Sequence, residues 1–222
     1  ELLQSGAKVF ATGTNLTQVE KLNKKNKNSL LTYLQLDLSE PNNVRKFISK
    51  TLKVTDIDIL VNNAGINKVS DADIISDEEF LQIQEINVHG PFLLAQAFGK
   101  QMLNKNWGRI INISSIWGVV TRPGRLSYSA SKMALLGISK TLAVEWAKNN
   151  VLVNSVSPGF TLTELTKTTN TKQELKEIEN KIPQNRLALP EEIAKGVLFL
   201  SSNLNSYIVG QNLIIDGGYT AI

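Results

Sequence analysis

A parallel, doubly wound α/β sheet with helices on both faces is the fold class this sequence predicts, and three observations predict it. Short runs rich in β-branched and aromatic residues alternate along the chain with segments of helical spacing. Small-residue turns, Asn62-Asn63-Ala64-Gly65 and Ser157-Pro158-Gly159, stand where two of those runs end. The chain has 222 residues, 42% of them hydrophobic, enough to bury one substantial core in a single domain spanning residues 1–222.

Each element has a local reason. Residues 8–12 form the first run and read as a buried strand. Residues 15–25 carry Leu16, Val19 and Leu22 at helical spacing and end in an Asn/Lys-rich turn. A second strand, 31–36, is closed by Asp37, and Ser39 is placed to cap the next helix, whose inner face is Val44, Phe47, Ile48 and Leu52. Residues 58–61 are a third strand. Ser76-Asp77-Glu78-Glu79 spells a capping box, so a long helix is expected from there toward Asn104, carrying Asn87. Residues 108–113 supply a fourth strand, 127–148 a helix and 151–156 a fifth strand. The Thr/Lys/Glu-rich stretch 161–182 reads as a mobile lid, Pro190 opens a helix through Leu200, and 212–215 is the last strand.

Composition narrows the function classes. Lys and Arg number 24 against 20 Asp and Glu, a net charge of +4 spread over helix faces and loops, with no basic stripe interleaved with aromatics. Nucleic-acid binding is therefore not expected. Without cysteine there is no disulfide framework and no thiolate chemistry. No apolar run approaches the roughly 20 residues that span a bilayer, so the expectation is a soluble, cytoplasmic protein with no membrane partner.

The chemistry concentrates in Tyr128-Ser129-Ala130-Ser131-Lys132, preceded by Ser114-Ser115 at the end of the fourth strand. On a helix, Tyr128 and Lys132 share a face one turn apart, which brings a phenol beside an ammonium. A nearby cation is expected to lower the phenol's pKa from about 10 and make it a proton donor. Ser115 can offer its hydroxyl to the same substrate oxygen. Spacing alone also fits a half-buried Tyr and a solvated Lys on an amphipathic helix.

Taken with Asn62-Asn63-Ala64-Gly65, Asn87 and Pro158-Gly159, these residues resemble the short-chain dehydrogenase/reductase family, most closely its 3-oxoacyl-(acyl-carrier-protein) reductase-like branch, over essentially the whole chain. The resemblance implies a Rossmann-like fold in which Tyr128 is the acid/base, Lys132 lowers its pKa and bonds the nicotinamide ribose, Ser115 polarises the substrate carbonyl, and Asn87 holds a water linking Lys132 to solvent. Ser115 is preferred to Ser114 by its position relative to Gly118. For cofactor binding the resemblance points to Thr12, Thr14, Asp37, Leu38, Asn62, Ala64, Gly65, Tyr128, Lys132, Pro158, Gly159, Thr161 and Thr163. Asp37 would accept from the adenine amino group or, on the plainer reading, cap a helix. Asn62, Ala64 and Gly65 would approach the adenosine ribose while steadying the sheet.

The family's opening strand and Gly-x-x-x-Gly-x-Gly turn, whose backbone N–H groups cradle a pyrophosphate, have no counterpart after Glu1-Leu2-Leu3. An incomplete chain is the expectation, lacking its first strand, which the resemblance places between those at 8–12 and 58–61. A truncated, non-catalytic subunit is the reading of another class that this motivates. Thr12-Gly13-Thr14-Asn15 offers no acid to repel a 2′-phosphate, so NADP(H) is expected over NAD(H).

The function implied is NADP(H)-dependent interconversion of a ketone and a secondary alcohol, first a carrier-bound 3-oxoacyl thioester, alternatively a sugar, polyol or other small keto or hydroxy compound. The positions where carrier-protein reductases present arginines are here Asn106 and Asn149, with Lys105 and Lys148 beside them. Arg122 and Arg125, in the loop between Ser115 and Tyr128, either bind an anionic substrate or belong to a solvated loop, and Trp117 should border the pocket. The lone His89 reads as structural or surface, and no metal is implied. The family likeness also implies a homotetramer, built on helices around 76–104 and 127–148 and on the last strand.

Overall fold

The computed structural model describes residues 1–169 and 171–221. Six strands and eight α-helices follow one another as β1 (Val9–Gly13), α1 (Leu16–Lys25), β2 (Leu31–Gln35), α2 (Pro41–Leu52), β3 (Ile59–Asn62), α3 (Asp77–Gln84), α4 (Gly90–Lys105), β4 (Gly108–Ile113), α5 (Leu126–Trp146), β5 (Val151–Pro158), α6 (Glu164–Thr169), α7 (Lys172–Glu179), α8 (Pro190–Ser201) and β6 (Asn212–Ile215) among the described residues. All ladders are parallel. They form a four-stranded sheet, β3-β4-β5-β6, and a separate pair, β1-β2. Among the described residues no ladder joins β1 to β3.

Both faces of the larger sheet are covered, and β4 shows how. Ile110 packs into a cluster with Leu93, Leu94, Phe98 and Met102 of α4, Ala143 of α5 and Val44 of α2. Ile111 and Ile113, pointing the other way by the two-residue period of a strand, meet Val197 and Leu200 of α8 with Val156. A strand buried on both sides reads as a continuous apolar run. Arg109 and Asn112 are the polar exceptions, and Asn112 is bonded on both sides: its amide donates to Ser139 Oγ on α5 and its oxygen accepts from Asn62 on β3.

Three expectations about helix starts and continuity are corrected. Ser39 does not cap α2. Its hydroxyl and N–H both donate to Asp37 Oδ1, and Glu40 takes the N-cap position without a side-chain bond. At α3 only half of the capping box forms. Ser76 accepts from the Glu79 N–H, but the Glu79 carboxylate is drawn to Lys68 Nζ at 2.6 Å instead of back to the cap. The long helix toward Asn104 is broken by a π-helical turn at Glu85–His89 between α3 and α4. The stretch expected as a lid carries α6 and α7, the latter opened by a complete Thr171–Glu174 capping box.

Candidate active site

The carboxyl ends of β3, β4 and β5 are where an open parallel sheet binds ligands, and the chemically able side chains gather there. Ser114 and Ser115 leave β4 into a short 3-10 turn, Ile116–Gly118. Gly118 lets that turn lie on α5, since a Cβ there would meet Ser114 Oγ at 2.8 Å and the Lys132 carbonyl at 3.2 Å. Ser114 is spent on structure, its hydroxyl donating to the Lys132 carbonyl at 3.0 Å. The Ser115 hydroxyl accepts from the Trp117 N–H at 3.2 Å and lies beside the Tyr128 phenol, where it favours the phenolate.

Tyr128 stands in the first turn of α5 and Lys132 one turn on, its Nζ 5.5 Å from the centre of the Tyr128 ring. The ammonium is buried and donates to the Ile113 carbonyl at 2.8 Å. A lowered phenol pKa was expected beside Lys132, and the net direction is the opposite. Burial is the largest influence on Tyr128 and raises its pKa, while Ser115 and then Arg125 pull the other way. Lys132 suffers from the same burial, which brings its ammonium down to about 8. A dry site disfavours both ions, so the phenol enters the reaction protonated.

Asn87 lies in the π turn, fully buried. Its side chain accepts from the Ile66 N–H, donates to the Ile66 carbonyl and donates to Ser131 Oγ. It therefore pins the turn after β3 to α5. Gly65 sits between it and the lysine: a Cβ there would come within 3.1 Å of Asn87 Oδ1 and 3.4 Å of Lys132 Nζ.

The remaining sequence-derived positions divide into groups. Asn62 is buried, its amide donating to Asn112 Oδ1 and Pro91 O, so it ties β3 to β4, while Ala64 and Gly65 are exposed above it. Pro158 and Gly159 end β5, with Gly159 bonded to Ile215 O. The Thr161 hydroxyl donates to Gly159 O, and Thr163 Oγ1 accepts from the Thr166 N–H at the start of α6. Thr12 lies in β1, Thr14 just after it, and Asp37 two residues beyond the end of β2. Leu38, buried, touches the Gly90 position at the head of α4, which links the β1-β2 pair to the π turn.

The site fits a nicotinamide cofactor on its own geometry. The Lys132 ammonium has three N–H donors and, among the described residues, one protein acceptor, Ile113 O, in a buried setting, which suits it to ribose hydroxyls. Pro158 and Gly159 present backbone at the neighbouring strand end.

Sequence reasoning missed four contributors. Ser131 holds Asn87, Phe160 and Tyr219 complete an edge-to-face cluster with Trp117 at centroid distances of 5.3–6.1 Å, and the Ile113 carbonyl seats Lys132. The hydroxyl at Ser131 was readable one residue before Lys132; the others depend on tertiary structure. His89 bonds Glu85 within the π turn, and among the described residues no group of three or more His, Asp or Glu is placed to hold a metal ion. No helix among the described residues is long and apolar enough to cross a membrane.

Residues 1–220 match the family model described as enoyl-(acyl carrier protein) reductase. The chain is 38% identical over 219 residues to the 3-oxoacyl-[acyl-carrier-protein] reductase FabG of Buchnera aphidicola subsp. Schizaphis graminum, covering 98% of this chain and 89% of that protein. It is 39% identical over 188 residues to the NAD-dependent glycerol dehydrogenase of Listeria innocua, covering 84% and 74%. Among solved structures it superposes on a gluconate 5-dehydrogenase from Burkholderia cenocepacia in complex with NADP and tartrate, with a TM-score of 0.92, 28% identity and coverage of 100% and 88%.

Proposed function

We propose, from the premise that this chain belongs to the short-chain dehydrogenase/reductase family, that it interconverts a ketone and a secondary alcohol with NADP(H), Tyr128 moving the proton. The chain is an NAD(P)-dependent oxidoreductase acting on CH–OH groups. The observation that carries the finer reading is the convergence of Ser115, Tyr128 and Lys132 at the carboxyl end of β4.

The mechanism follows from what these side chains can do. A bound nicotinamide supplies or accepts hydride at the substrate carbon. In the reducing direction the substrate oxygen sits between Ser115 and Tyr128. Ser115 donates a hydrogen bond that strengthens as negative charge grows on that oxygen, a contribution of the oxyanion-hole kind. Tyr128, protonated because it is buried, gives up its proton to the same oxygen. Lys132 orients the ribose and presents a cation to the phenolate left behind. Asn87 fixes the Ile66 turn, and a water near it would return a proton through Lys132.

Preference for NADP(H) is supported by the turn after β1, Thr12-Gly13-Thr14-Asn15, which carries no acid, and by the NADP in the gluconate 5-dehydrogenase structure. A carrier-bound 3-oxoacyl thioester is the first reading of the substrate, supported by the relatives named FabG. A small keto or hydroxy compound is the second, and a specific observation favours it. Lys105, one of the cations next to the arginine-less positions, is occupied by Asp56 and Asp58 at 3.0 and 3.1 Å, and Asn106 and Asn149 bond each other. Among the described residues an acidic carrier finds only the exposed Lys148 without an ion pair there. We place the activity in the cytoplasm and in a homotetramer, as the family resemblance implies. Initial rates with acetoacetyl thioester against a panel of sugar and keto acids, each with NADPH and NADH, test the reading. Turnover of a ketone with NADPH at least about tenfold better than with NADH is expected; failure of every ketone, or a preference for NADH, contradicts it.

A further inference from the structure

We propose that Arg125, with Arg122 beside it, is an anion anchor in the substrate pocket, so that the substrate is a small keto or hydroxy acid whose own carboxylate is held there. This rests on the hydride-transfer reading above and narrows its substrate class. Arg125 is the N-cap residue of α5, three residues before Tyr128 and therefore on the same side of the helix. Three residues correspond to about 5 Å of helix axis, a distance that a few carbons bridge.

The surroundings of Arg125 lack any counter-charge. Its guanidinium is half-buried, and its Nε is buried without a hydrogen-bond partner. Burial disfavours its charge first and the positive charge of Arg122 second; Tyr128 is the one group that favours it. No ion pair joins either arginine to a carboxylate among the described residues. Arg122 lies with its guanidinium carbon 5.2 Å over the Trp117 ring, and Trp117 is itself the edge of the cluster with Phe160 and Tyr219.

A solvated loop would let two arginines diverge into water or pair with acids. Here two like charges stay close, one of them partly dry, next to the catalytic phenol and an aromatic wall that lowers the local dielectric. Such an arrangement is costly alone and becomes favourable when an anion enters. The guanidinium fork matches a carboxylate's two oxygens, and the stacked Arg122 is already oriented. A neutral thioester next to the reacting carbonyl would leave both cations unanswered.

The test is calorimetric titration of tartrate, and separately of its dimethyl ester, into the protein saturated with NADP⁺. The acid is expected to bind about tenfold or more tightly than the ester. Arg125→Met should weaken the acid by about that factor and leave the ester unchanged, with Arg125→Lys recovering part of the loss and holding the fold if the Met variant does not. Equal affinity for acid and ester, or an Arg125→Lys and Arg125→Met pair indistinguishable from the parent, overturns the anchor. Should Tyr128→Phe keep its turnover while the arginine dependence holds, the proton-transfer role of Tyr128 falls and the anchor stands.

Discussion

Tyr128 and Lys132 share one buried face, and burial acts on the two with opposite sign. It keeps the phenol protonated by raising its pKa and draws the ammonium down to about 8 from 10.5. Between those two lysine values the unfolded chain binds the extra proton, so this group's contribution to stability rises with pH across that window and its burial cost is fully present below about pH 8. Lys132→Met should therefore melt higher than the parent at pH 7, by on the order of 1–3 kcal/mol, with the advantage shrinking toward pH 10 as catalysis is lost throughout. A thermal melt series that shows no gain at pH 7, or a gain that grows with pH, contradicts that electrostatic account. At this scale the sequence was informative about identity and misleading about cause. The Tyr-x-x-x-Lys spacing placed the pair correctly, but the seat of Lys132 is the Ile113 carbonyl, a backbone atom that no side-chain pattern announces. Ser115 was preferred to Ser114 by its position relative to Gly118, and the Ser114 hydroxyl is committed to the Lys132 carbonyl.

Among the elements, the π turn at Glu85–His89 matters most for the site. It carries Asn87 inward between α3 and α4, where that side chain clasps both polar groups of Ile66 and the Ser131 hydroxyl. π turns inside helices are frequent at functional sites, and an amphipathic pattern read at 3.6 residues per turn has no signal for one extra residue. That is why residues 76–104 read as a single helix. Gly65 faces the result. A methyl there comes within 3.1 Å of Asn87 Oδ1, which hydrogen bonds already fix, so that side chain has to give by a few tenths of an ångström, while Lys132 Nζ lies in contact at 3.4 Å. Gly65→Ala is predicted to lower kcat about tenfold with little change in melting temperature, because a sub-ångström displacement of positioned groups costs more in rate than in stability. An unchanged kcat would detach Asn87 and Lys132 from one relay. Helix starts were partly legible: the Ser76 cap formed, yet its reciprocal partner Glu79 was taken by Lys68, a contact between residues 11 apart that no four-residue motif contains.

For the whole molecule, the doubly wound class was legible because alternation of strands and helices fixes parallel ladders with helices on both faces. The aromatic cluster was legible only in part, at Trp117, expected on the border of the pocket. Trp117, Phe160 and Tyr219 come from three distant stretches and meet only in the fold. Exposed apolar side chains remain on the elements proposed for assembly, with Val144 of α5 84% exposed, Leu81 of α3 62% and Tyr207, between α8 and β6, 95%. Isolated surface apolar residues are ordinary, but these fall on the helices and the sheet end expected to pair. Light scattering after gel filtration should give a tetramer for the parent and a smaller species for Val144→Glu; a monomeric parent would remove the assembly from the account.

The proposition on which the chemistry rests is that the Tyr128 proton goes to the oxygen held by Ser115. Rates of NADPH oxidation by a turned-over ketone, compared between the parent and Tyr128→Phe at pH 7, test it most directly. A fall of about a hundredfold or more, with NADPH affinity and melting temperature unchanged, is the predicted result. A Tyr128→Phe variant that keeps its rate within about tenfold contradicts it.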